Sequence, residues 1–165
     1  MSHLHHIEKK LMDSIQLIDQ MNDWQKTGCK IVFSNGCFDI LHLGHIDYLA
    51  RAADFGDKMV IGLNTDSSVS KIKGPSRPIN DERSRAMVLA ALEFVSAIIL
   101  FDEPTPYELI RLVQPDVLVK GADYKPEDIV GYDIVTAKGG VVKTIPFVDG
   151  YSTTKIEQRI RNVQY

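Results

Sequence analysis

Cysteine is scarce in this chain: Cys29 and Cys37 are the only two in 165 residues, and they do not form a Cys-x-x-Cys pair. Two cysteines are too few for a disulfide framework, so the sequence reads as a reduced, cytoplasmic protein. No apolar run is long enough to cross a bilayer. The N-terminus lacks a basic segment followed by an apolar one, so no secretory leader is expected. A basic excess is also missing: 19 Lys and Arg stand against 22 Asp and Glu, a net charge of -3. Nucleic-acid binders generally carry a basic excess or stripe, so neither nucleic acid nor a membrane is expected as a partner. Any polyanion site must be assembled locally, from a few placed cations and backbone N–H groups. No repeat, low-complexity tract or linker divides the chain.

What is present suits one globular domain: 44% of residues are hydrophobic, enough for a real core at this length. Residues 1–6 carry His3, His5 and His6 at irregular spacing, which reads as a mobile polar end or at most a weak metal site. Residues 7–26 follow a helical period, with Ile7, Leu11, Ile15, Ile18 and Met21 on one face and Gly28 as a stop. This makes residues 1–27 a helical extension before the main domain, 28–165. There, strand and helix patterns alternate. Strands are predicted at 31–34, 58–63, 95–101, 117–119 and 141–145. Helices are predicted at 43–54, 80–92 with Asn80 as N-cap, 105–113, 129–137 and 152–162, with a basic loop over 71–79. The alternation predicts an α/β fold: a Rossmann-like, doubly wound sheet of five parallel strands with helices on both faces, plus the N-terminal helix. Ligands of such sheets bind beyond the C-terminal strand ends, where strand order reverses.

The segment Asn35-Gly36-Cys37-Phe38-Asp39-Ile40-Leu41-His42-Leu43-Gly44-His45 leaves the first predicted strand and enters a helix. Phosphate-binding turns belong at that place. Gly36 permits a sharp turn and close ligand approach, and Gly44 leaves free N–H groups reachable at the helix start. His42 and His45 are three apart, so both can face one spot. Imidazoles are compact donors, and nearby phosphates favour their cationic form. That suits a reaction whose catalysis is mostly positioning and charge stabilisation. A zinc pair would use i, i+4 spacing and further ligands, and no Cys or His cluster follows.

Other candidates lie on the same predicted edge. Lys71, Lys73 and Arg77 form a cationic cluster around Gly74-Pro75; an extended loop would put Lys71 and Lys73 on one side. On the next helix, Arg83 is the residue expected to reach the site, and Arg85 reads as surface. Asp66 ends the second strand region and also fits a helix cap. Lys120, Gly121, Asp123 and Tyr124 follow the fourth strand; Gly121 allows close backbone approach. Ser152, Thr153 and Thr154 open the last helix, where they serve as caps or as phosphate ligands on the same orphan donors.

Taken together, Gly36-Cys37-Phe38-Asp39 with His42-Leu43-Gly44-His45, and Ser152-Thr153-Thr154 about 110 residues later, resemble the cytidylyltransferase-like nucleotidyltransferase superfamily. Lys73-Gly74-Pro75-Ser76-Arg77-Pro78 and Val119-Lys120-Gly121-Ala122-Asp123-Tyr124 resemble its heptose-1-phosphate adenylyltransferases, over residues 28 to 162. The resemblance implies AMP transfer from ATP to D-glycero-β-D-manno-heptose 1-phosphate. It implies catalytic roles for His42, His45 and Lys73. Nucleotide contacts fall to Gly36, Cys37, Phe38, Gly44, Lys120, Gly121, Ser152, Thr153 and Thr154, and acceptor contacts to Asp39, Asp66, Lys71, Arg77, Arg83 and Asp123. It also implies Mg²⁺ held mainly by the phosphates rather than by a protein metal site, a homodimer, and a separate sugar kinase. Tyr151 stands at a variable position of the last motif, where it could shape specificity. Glycerol-3-phosphate cytidylyltransferases are less similar: they carry Arg where this chain has Phe147. A nucleotide-sensing module that does not turn over is the non-enzymatic alternative. A dinucleotide oxidoreductase would need a Gly-x-Gly-x-x-Gly that is absent.

Overall fold

In the computed structural model, which describes residues 2–123 and 125–163, the apolar runs form strands β1 (Ile31–Gly36), β2 (Lys58–Asn64), β3 (Val95–Phe101), β4 (Val117–Gly121) and β5 (Val141–Ile145). All neighbours pair in parallel, in the order β3-β2-β1-β4-β5. The helices are α1 (His3–Glu8), α2 (Ser14–Lys26), α3 (Leu43–Ala53), α4 (Asp66–Lys73), α5 (Glu82–Ala90), α6 (Tyr107–Val113), α7 (Tyr132–Ala137) and α8 (Thr153–Arg161). A 3₁₀ turn, Pro126–Asp128, precedes α7. Among the described residues, no helix is long and apolar enough to cross a membrane.

Side chains alternate across the strands, and both faces are buried. Val32, Met59, Ile61, Val117 and Val119 pack against Tyr48, Leu49 and Ala52 of α3 and Leu89 of α5. Ile31, Phe33, Val60 and Leu118 face the other way, against Leu17 and Met21 of α2, Ile110 of α6 and Val135 of α7. The sheet is therefore doubly wound, as the alternation predicted. Phe33 is fully buried; truncating such a side chain to alanine costs about 3–5 kcal/mol.

Three local expectations are corrected. The helix expected over 7–26 is two helices. Asp13 caps α2 in a reciprocal box with Gln16, so the helix restarts there. The intervening residues run beside the edge strand β3: Met12 N donates to Ile98 O (2.9 Å) and Ile98 N to Lys10 O (2.7 Å). The restart changes the helical phase, burying Leu17 and Met21 and leaving Ile15 73% exposed. The basic loop expected from 71 begins later, because Thr65 caps α4 directly after β2 and the helix runs to Lys73, ending at Gly74 (φ 99°). Asp81, not Asn80, caps α5.

Strand order reverses between β1 and β4. Their pairing covers Val32 with Val117 and Phe33 with Leu118. Past that point the two strands separate, and a crevice opens at their C-terminal ends.

Candidate active site

The crevice is a cavity of about 390 Å³. Gly36, Cys37, Phe38, Asp39 and His45 line it from the turn after β1 and the start of α3. Lys73 enters from the end of α4, and Lys120, Gly121 and Asp123 from β4. Thr153 closes it from the start of α8. Segments more than a hundred residues apart in sequence thus share one wall-to-wall space because β1 and β4 are neighbours.

His42 is the N-cap of α3, and His45 lies in its first turn. Their rings stack at 3.8 Å between centroids, 18° from parallel. Phe38, held at φ 44°, meets His45 edge-on at 5.3 Å. Gly44 lets this packing close tightly: a Cβ there would sit 3.2 Å from the His42 ring and 3.3 Å from Tyr151 Cβ, so both would have to give by a few tenths of an ångström. Tyr151 is thereby placed beside the histidine turn.

Burial leaves this site short of partners. Asn35 Oδ1, His42 Nδ1 and His45 Nδ1 are buried without a hydrogen-bond partner. Buried polar atoms are nearly always paired in folded proteins, so a cluster of unpaired ones marks a place built for a ligand. Burial pushes His45 down to about 4, with His42 and Lys73 adding to the effect. It lowers His42 too and brings Lys120 down to about 8. The Cys37 thiol is raised by burial, so it is a poor nucleophile. Without ligand the histidines are neutral at pH 7. A polyanion placed here would favour their protonation and would also be stabilised by it. At the start of α8, Ser152 caps the helix by accepting from Lys155 N (3.2 Å). The remaining first-turn N–H groups of α3 and α8 are donors of the kind that can hold a phosphate at a helix start.

Residues 33–159 match the family model described as Cytidylyltransferase-like. The chain belongs to the cytidylyltransferase-like family. It is 50% identical over 153 residues to the bifunctional protein HldE of Nitratiruptor sp., covering 93% of this chain and 32% of that one. It is 55% identical over 134 residues to the bifunctional protein HldE of Aliarcobacter butzleri, covering 81% and 27%. The chain spans about a third of the length of these curated relatives. Among solved structures, it is similar to the lipopolysaccharide core biosynthesis protein from Thermoplasma volcanium. That likeness has 30% identity and a TM-score of 0.58, over 76% of this chain and 100% of that one. The pantoate-β-alanine ligase of Francisella tularensis shares the fold, at 16% identity and a TM-score of 0.60, over 92% of this chain and 76% of that one.

Other predicted residues of this cytidylyltransferase-like domain are placed differently from what the sequence suggested. Lys71 and Lys73 sit on a helix, not a loop, so two positions apart they point in nearly opposite directions. Lys73 reaches the cavity, whereas Lys71 pairs with Asp102 at 2.9 Å. The two arginines of α5 exchange roles. Arg83 is 80% exposed in its side chain, its nearest acid being Glu8 at 3.9 Å. Arg85, expected on the surface, is buried, because α5 turns that position toward the sheet. It donates to Cys37 O (2.6 Å), Asn80 O (3.0 Å) and Asp66 Oδ1 (2.7 Å). Asp66 is therefore engaged by Arg85.

Asp39 is also committed. It accepts from Arg77 (2.6 Å), Ile79 N (2.7 Å) and Asn80 N (3.0 Å). Burial opposes its carboxylate, but the bonds from Asn80, Arg77 and Ile79 outweigh that and hold its pKa below the usual value. Arg77 reaches on to Glu157, joining the Gly74–Pro78 loop to α8. Thr154 is exposed and Tyr124 lies outside the described residues. His3, His5 and His6 lie in the exposed helix α1. Tyr48 and Phe147, which also line the cavity, were missed. Tyr48 carried a usable signal, since it follows His45 by three residues on the same helix face.

Proposed function

We propose that this domain transfers AMP from ATP to D-glycero-β-D-manno-heptose 1-phosphate, giving ADP-heptose and pyrophosphate. The observation that carries the reading is the stacked, half-buried His42 and His45 pair, whose Nδ1 atoms are buried without a partner beside a crevice lined by His45, Lys73 and Lys120. The identities of 50% and 55% to the two HldE proteins support it. An acceptor phosphate oxygen attacks the α-phosphorus, and the bond to the oxygen bridging to the β-phosphorus breaks. Pyrophosphate leaves with that electron pair. The acceptor oxygen is already anionic, so no general base is needed. Negative charge grows on the α-phosphate oxygens and the leaving group, where His42, His45 and Lys73 stabilise it. Ser152, Thr153 and the N–H groups of α8 anchor the pyrophosphate end. Lys120 and Asp123 orient the substrates. Phe147 stands where the cytidylyl enzymes carry arginine, which favours the adenylyl reading.

The donor set suits Mg²⁺ that arrives with the nucleotide. Mg²⁺ takes one or two carboxylates plus substrate phosphates and water. Both Asp39 oxygens are occupied, while Asp123 lines the cavity with no ion pair among the described residues. Asp123 would therefore hold the ion together with the phosphates, and the ion would neutralise triphosphate charge. The same reading infers a separate sugar kinase acting upstream and a cytoplasmic homodimer, the dimer to be checked by sedimentation.

The deciding experiment is pyrophosphate release with Mg²⁺ and each of ATP, CTP, GTP and UTP, against heptose 1-phosphate and glycerol 3-phosphate. The expected result is release with ATP and heptose 1-phosphate alone. Release with CTP and glycerol 3-phosphate would overturn the substrate assignment, and tight nucleotide binding without release would make the domain a sensor.

A further inference from the structure

The crevice exists because β1 and β4 stop pairing after Phe33 and Leu118, although β1 continues to Gly36 and β4 to Gly121. Ser34 and Val119 are the first residues past the split, and one side chain occupies the gap between them. Tyr48 Oη lies 2.8 Å from Ser34 Oγ and donates to Val119 O at 2.9 Å. Ser34 is fully buried and Tyr48 is 4% exposed. With its proton committed to Val119 O, the Tyr48 oxygen accepts from the Ser34 hydroxyl. Tyr48 stands one helical turn after His45 on α3. Its ring also supports Phe147 (5.3 Å between centroids), and Phe147 covers the face of Gly121.

We propose that Tyr48 is a positioning residue whose hydroxyl, wedged where β1 and β4 part, fixes the histidine helix relative to the Lys120–Gly121 wall. Three elements meet at this one oxygen: α3 with His42 and His45, β1 leading to Asn35 and Gly36, and β4 leading to Lys120 and Gly121. Packing at this spot would need only the ring. A buried hydroxyl pair costs free energy unless every polar atom is matched, and here the matches run across the split. Both walls line the crevice in which the proposed reaction takes place, and displacing catalytic groups by about 1 Å costs on the order of 10²-fold in rate. The inference rests on the proposed reaction for its kinetic readout, but not for its structural one.

The test compares Tyr48→Phe with the native full chain, with rates divided by the fraction folded at the assay temperature. The expected result is a fall in kcat of about 10- to 100-fold, with KM for ATP changed less than about threefold. The His42 and His45 ring signals should shift in NMR spectra of the ligand-free protein. A kcat within twofold of native, with unmoved histidine signals, overturns the proposal. Should Tyr48→Phe not fold, Ser34→Ala, which keeps the bond to Val119, should lower kcat by a smaller factor and move the same signals; no change in either overturns it. If the native protein turns over no substrate pair, the reaction assignment fails. The histidine signals then decide the role of Tyr48 alone.

Discussion

Replacing Arg85 with methionine keeps a stem of similar length and removes all three of its hydrogen bonds. The side chain is 1% exposed, and the methionine that fills its place leaves no room for water at the two main-chain acceptors. Two of the acceptors, Cys37 O and Asn80 O, are main-chain carbonyls. The third, Asp66, is 40% exposed and regains water, so its loss adds little. Leaving a buried acceptor unsatisfied costs about 1–3 kcal/mol. Relief of the guanidinium's own burial offsets part of the sum, so the expected loss is about 2–4 kcal/mol. For a chain of this size that is a fall in Tm of about 4–16 °C. Urea unfolding and calorimetry would measure it. Arg85→Lys keeps the charge but cannot reach three acceptors in a planar fork, so it should recover less than half of the loss. A loss below about 0.5 kcal/mol for Arg85→Met, or full recovery by lysine, would refute the view that this fork fastens the Cys37 turn to α5.

Three further outcomes are expected. Under the proposed reaction, His42→Ala and His45→Ala each lower kcat by about 10²–10³-fold, and the double variant costs little more because stacked rings act as a unit; single-turnover rates that multiplied instead would separate their roles. ATP binding should take up protons, because a triphosphate raises His45 from about 4 and Lys120 from about 8. Affinity then falls as pH rises through the bound-state values, and calorimetry in buffers of different ionisation enthalpy should read uptake at pH 6 and at pH 8; release of protons would contradict the electrostatic account. In Gly121→Ala the new Cβ would lie 2.3 Å from the Phe147 ring. That ring is half exposed and free to swing, so stability should change by less than about 1 kcal/mol while the KM for ATP rises; an unchanged KM would remove Phe147 from the nucleotide site.

Much of this domain is legible in its sequence because the governing interactions are local. Short apolar runs alternating with helical periods call for a parallel sheet covered on both faces, and the fold has one. The segment from Asn35 to His45 is contiguous, so its glycines and histidines can be read as one turn and one helix start. The misplaced elements are those whose local pattern had two solutions. Residues 7–26 look like one helix until Asp13 is seen to cap a new one and Leu11 to pair with β3. Lys71 and Lys73 share a side on a strand-like loop but diverge on a helix.

What the sequence determined alone is therefore the class of fold, the turn that carries His42 and His45, and the helix start at Ser152. Tertiary structure decided which cations face the site, since Arg85 is buried and Arg83 is not only because α5 packs one face on the sheet. It also decided that β1 and β4 are neighbours that part after two pairs, with Tyr48 in the gap. Periodicity depends on a residue's near neighbours along the chain, whereas strand order and side-chain direction depend on how whole faces pack.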